Sequence, residues 1–105
     1  MNTDREMLEL AAKAAGYDDA WWSEPFGYVL LRSEGNRAWN PLTNDNDALR
    51  LAVKLEINVL PNMEATSARN PSYTKWCNED ARTDPYAATR RAIVRAAAEI
   101  GRSLK

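Results

Sequence analysis

At 105 residues the chain has room for one domain with a single modest core, so residues 1–105 are read as one unit. Fourteen Lys and Arg stand against 15 Asp and Glu, a net charge of -1, so no global field draws the chain to nucleic acid or an anionic membrane. With no histidine, one cysteine and four scattered glycines, the sequence excludes a Ser-His-Asp triad, a Cys-His dyad, a His-bearing zinc site, an intramolecular disulfide and a Gly-rich phosphate loop.

The first element is read from "TDREMLELAAKAAG", where Thr3 and Glu6 stand in capping-box spacing and Gly16 supplies a left-handed stop. A helix over 3–15 is predicted. Leu8, Ala11, Ala12 and Ala15 line one face, Met7, Leu10 and Ala14 flank it, and Arg5, Glu9 and Lys13 fall on the polar side. The aromatic run that follows is read as a loop. Next, "YVLLR" (Tyr28 to Arg32) and "RAWN" (Arg37 to Asn40) flank "SEGN" as a hairpin.

A second helical repeat starts near Asp47 and carries Ala48, Leu49, Ala52, Val53 and Leu55. Beyond it, "INVLPNMEATSA" and "SYTKWCN" read as two strands, the first at an edge or bulged because Pro61 lacks an amide hydrogen. Asp84 as N-cap and Pro85 at the first helical position open a last helix over 85–100, with Gly101 as its expected stop. Tyr86, Ile93, Ala97 and Ile100 share one side of it, and Arg91, Arg95 and Arg102 the other. The order α-β-β-α-β-β-α predicts an α+β fold, an α/β/α sandwich in which three helices cover a four-stranded, mainly antiparallel sheet.

Three groups invite a functional reading. In "NPLTNDND", Asp45, Asp47 and Glu56 fit positions one, three and twelve of a calcium loop. Leu49 and Arg50 then occupy positions five and six, which costs a ligand and the obligatory glycine, so a helix cap explains the polar residues and no metal is expected. The run "DDAWWSEPFGY" gathers Asp18, Asp19, Trp21, Trp22, Glu24 and Phe26 beside Tyr17 and Tyr28. Successive side chains of an extended segment alternate, which sends one of Trp21 and Trp22 outward as a candidate partner contact. The competing reading tucks both under the helices as core lids.

The third group is the last helix, which with the tail from 84 to 105 carries +3 and leaves -4 for the remainder. Arg91, Arg95 and Arg102 are candidates for anion or nucleic-acid contact. Basic residues late in a helix also complement its dipole, and Arg95 with Glu99 has i, i+4 spacing, so a solvated face is preferred and nucleic acid is disfavoured. Cys77 has no histidine or second cysteine to activate it and reads as a buried, inert thiol. Asp18 with Asp19 and Glu79 with Asp80 are neighbours in sequence, which does not make them an acid-base pair. No catalytic residue and no cofactor is expected.

The runs "WNPLTNDNDALRLAVKLEI" (39–57) and "DPYAATRRAIVRAAAEIGR" (84–102) resemble the phage ABA sandwich domain, a family of small proteins of tailed bacteriophages and prophages. The resemblance implies a helix-sheet-helix sandwich and the cytoplasm of a bacterial host, and it brings no established catalytic residues to carry over. Asn46 and Glu56 depart from it, since glycine is usual at or near both, so the cap and the turn after that helix are expected to be built differently. The lone cysteine and the lack of a secretory segment also point to the cytoplasm, and short apolar runs exclude a membrane span.

The resulting expectation is a non-enzymatic phage accessory protein that binds a host or phage macromolecule, with inhibition of a host enzyme or defence system as one form of that role. A homo-oligomer, most simply a homodimer, is expected. A nucleotide-sequestering protein and a nucleic-acid-associated protein are the alternatives from other classes.

Overall fold

The computed structural model describes residues 3–25, 28–69 and 76–104. Helix α1 (Asp4–Ala14) starts as its cap predicts, with Thr3 Oγ1 accepting from the Glu6 amide at 3.1 Å. Gly16 then takes a φ of 83° and turns the chain away. The segment expected to be a loop is instead strand β1 (Ala20–Ser23). It pairs antiparallel with β2 (Tyr28–Leu31), which pairs with β3 (Arg37–Trp39) beyond a 3-10 turn over Arg32–Glu34. The register aligns Trp22, Val29 and Trp39 on the face toward the helices and Trp21, Leu30 and Ala38 on the opposite face.

Helix α2 (Asp45–Lys54) begins two residues before the expected start, because Asn44 is the cap and its Oδ1 accepts from the Asp47 amide at 2.9 Å. Its C-terminal turn uses Glu56 at a φ of 54°, a left-handed position filled without glycine. The stretch expected to be one strand is a hairpin of β4 (Asn58–Leu60) and β5 (Ala65–Arg69). Pro61 cannot donate to a ladder, and Asn62 Oδ1 accepts from the Glu64 amide at 2.8 Å, so the chain turns there. Strand β4 lies at the sheet edge, as Pro61 predicts. Strand β6 (Cys77–Asp80) completes this second antiparallel sheet, and residues 72–75 of the expected fourth strand lie outside the described residues.

The fold is therefore α+β with three helices, and in place of one four-stranded sheet the described residues form two three-stranded antiparallel sheets, β1-β2-β3 and β4-β5-β6. Among the described residues no single four-stranded sheet faced by helices on both sides is formed. Helix α3 (Pro85–Ser103) packs chiefly on α1, rests on β5 and β6, and supports α2, while α1 lies on β1 and β2. Small residues are frequent on both helices, and Ala11, Ala12, Ala96 and Ala97 are all buried.

Gly101 is not the stop expected of it: α3 runs through it to Ser103. A Cβ at Gly101 would stand 2.0 Å from the Leu10 carbonyl oxygen, so this glycine lets two helix backbones meet. Leu49, Val53 and Tyr86, placed by periodicity with the apolar positions, are exposed, because Ala48, Leu51 and Ala52 on α2 and Ile93 on α3 take the inward arcs.

Candidate functional site

The polar run before α2 ties the chain to itself. Buried Asp47 accepts from Arg37 Nη1 at 3.1 Å and from the Asn40 amide at 3.0 Å, joining the end of β3 to the first turn of α2. Arg37 also donates to Glu34 at 2.8 Å, and that bond, with the Asp47 contact, raises its pKa above the ordinary arginine value against the opposing effect of burial. Asp45 bonds Arg90 at 2.6 Å. Among the described residues no group of three or more His, Cys, Asp or Glu side chains is placed to hold a metal ion.

The aromatic and acidic residues are divided by the pleat of β1. Trp22 faces inward with the Arg5 guanidinium 5.5 Å from its ring centroid, and its Nε1 is buried without a hydrogen-bond partner. Trp21 is exposed, with Arg32 at 5.2 Å over its ring. Glu24 pairs with Arg5 at 2.8 Å. Asp18 is exposed, Asp19 is half-buried, and Phe26 lies outside the described residues. Asp18 and Trp21 line a common cleft of about 270 Å³ walled by Glu9, Lys13 and Tyr17.

The arginine face is likewise engaged within the chain. Arg91 bonds Asp4 at 3.1 Å and lies 3.9 Å from Glu79, so it holds α3 to the start of α1 and to β6. Arg95 turns away from Glu99, its expected partner, and donates to Glu79 and to the Asn78 carbonyl. Arg102 takes Glu99 at 3.5 Å. Nearby, a two-pronged contact with Arg82 lowers the Asp80 carboxyl to a pKa of about 2. Cys77, expected to be buried, is only partly so.

A further groove lies elsewhere, between α2 and the first half of α3, in residues not read from the sequence as a binding surface. Asp45, Ala48, Leu49 and Ala52 form one wall and Pro85, Tyr86, Thr89, Arg90 and Ile93 the other, while Val59 and the Pro61–Met63 turn close the side. The groove holds about 500 Å³, within the ordinary range of ligand pockets. Its floor of Ala48, Ala52 and Ile93 is buried, whereas the lips Leu49, Tyr86 and Met63 are exposed to 63%, 72% and 73%.

Two polar side chains in the groove are already bonded within the chain. Thr89 Oγ1 donates to the Pro85 carbonyl at 2.8 Å, and Arg90 Nε donates to the Leu42 carbonyl at 2.8 Å. The exposed lips border the groove's buried floor. In the sequence its lips are scattered over two helices and a turn, and each alone reads as an ordinary core residue.

No protein-family model, curated protein or solved structure matches the chain. Among the described residues no helix is long and apolar enough to cross a membrane.

Proposed function

We propose that this protein is a non-enzymatic binding module, a phage accessory protein of the bacterial host cytoplasm, that recognises a host or phage protein through the groove between α2 and α3. The observation that carries the reading is the apolar groove itself: a buried apolar floor beneath three large exposed lips has the form of a receptacle for apolar side chains. Occlusion of a host enzyme or a defence protein is the outcome suited to such a module. The phage assignment, membership in the ABA sandwich family and the compartment rest on the runs 39–57 and 84–102. The two three-stranded sheets depart from the single sheet which that resemblance implies.

The two alternatives have less support. Nucleotide sequestration calls for unengaged cations and donors, and the one arginine in the groove is bonded to Leu42 and Asp45. A nucleic-acid stripe calls for arginines facing phosphate, and Arg91, Arg95 and Arg102 each pair with a carboxylate.

Capture from a bacterial lysate tests the proposal. Wild-type protein is expected to recover a stoichiometric partner, Trp21→Ala to keep it, and Leu49→Glu with Met63→Glu to lose it. Equal recovery by all three, or background alone from the wild type, would overturn the groove reading.

A further inference from the structure

Building on that groove reading, we infer that the occupant is a short amphipathic helix whose outer flanks are basic. Length is the first observation. The walls run from Asp45 to Ala52 on α2 and from Pro85 to Ile93 on α3. At about 1.5 Å per residue that is roughly 11–12 Å, the distance between positions i and i+7 of a helix. Two turns bearing three apolar anchors therefore match the groove from end to end, the mode in which helices seat in hydrophobic grooves.

The competing mode, addition of a strand beside β4, has little to work with. Strand β4 offers three residues, Asn58–Leu60, and Pro61 directly after it supplies no amide hydrogen. A guest strand would gain few ladder bonds there.

Charge sets the guest's outer face. Of the two charged residues lining the groove, Arg90 is drawn inward, its side chain 17% exposed, while its partner Asp45 is 75% exposed. Glu64 follows the lip residue Met63 and Asp84 precedes the lining residue Pro85; both are exposed, and neither has an ion-pair partner among the described residues. Arg50 lies on another flank of α2, bonded to Asn46. The exposed charge of the lining is thus the Asp45 carboxylate, paired with Arg90 beneath it, and Glu64 and the cap residue Asp84 add two more carboxylates beside the groove. Lys or Arg flanking the guest's apolar stripe complements them and accelerates encounter more than it deepens the bound state.

The test uses the full chain and three labelled synthetic peptides of about 14 residues, a length at which a free helix is marginal and folding on binding can be seen. One carries Leu at i, i+3 and i+7 with Lys elsewhere, the second replaces Lys with Glu, and the third scrambles the first. Fluorescence anisotropy is expected to show saturable binding of the Lys helix alone, with helicity rising on mixing. Glu64→Gln with Asp84→Asn, the second of which keeps the helix cap, is expected to weaken it about tenfold, in line with the salt sensitivity of rim charges.

Leu49→Glu with Met63→Glu is expected to abolish binding even though it adds negative charge, which separates groove docking from unspecific attraction. Equal binding of the scrambled or the acidic peptide would overturn the inference. So would a dimer in sedimentation that Met63→Glu dissolves, since the occupant would then be a second copy. Failure of the Lys helix alongside groove-dependent capture from lysate would overturn the inference and leave the groove reading standing. Absence of any groove-dependent capture would remove both.

Discussion

Two surfaces of this molecule use their side chains in opposite ways. Around β1, α1 and the outer face of α3, the residues with the strongest chemical character are engaged with one another: Arg5 with Trp22 and Glu24, Arg32 with Trp21, Arg91 with Asp4, Arg95 with Glu79. Around the α2–α3 groove, chemically plain residues such as Leu49, Met63 and Tyr86 stand largely exposed to solvent. Residue type alone points to the first surface. Exposure after folding points to the second, the surface proposed as the interface.

Substitutions can break this contrast, and the largest effect is expected inside the molecule. Gly101→Ala forces a methyl group against the Leu10 carbonyl at 2.0 Å, so helices α1 and α3 must part. A loss of about 3 kcal/mol, at the upper end for overpacking, is expected from the midpoint of urea unfolding. The adjacent tryptophans sharpen the contrast within one strand. Trp22→Ala removes an inward ring and is expected to cost about 2–3 kcal/mol, below the full core value because the ring is only partly buried. Trp21→Ala, on the solvent side, is expected to change the same midpoint by less than about 1 kcal/mol. A reversed order would place the wrong ring in the core.

Smaller effects belong to the groove side. Glu56→Gly, at a left-handed position that penalises any Cβ, is expected to raise stability by about 1 kcal/mol in the same titration. Leu49→Glu and Met63→Glu are expected to leave the unfolding free energy within about 0.5 kcal/mol of wild type, because neither side chain supports the core. A large destabilisation by either would mean that the lips hold the fold rather than a partner.

The sequence made local structure readable and left the long-range arrangement hidden. Thr3, Asp84 and Pro85 announce their helices because capping is settled within a few residues. The opposed facing of Trp21 and Trp22 follows from the strand pleat alone. By contrast, β1 has no polar and apolar alternation to betray it, and Gly101 reads as a stop until Leu10 is seen beside it. The arginines looked available because Asp4 and Glu79, which neutralise Arg91 and Arg95, lie far away along the chain. The groove was least visible: its walls come from α2, α3 and the turn after β4, and only folding sets Leu49, Met63 and Tyr86 around one floor.

The choice between the two surfaces can be put to a single measurement. A photo-crosslinking amino acid is placed at position 63 in one sample and at position 21 in another, and both are irradiated in bacterial cells expressing the protein. A discrete adduct from position 63 and none from position 21 is the result expected of a groove-binding module. A discrete adduct from position 21 with none from position 63 would return the function to the tryptophan face.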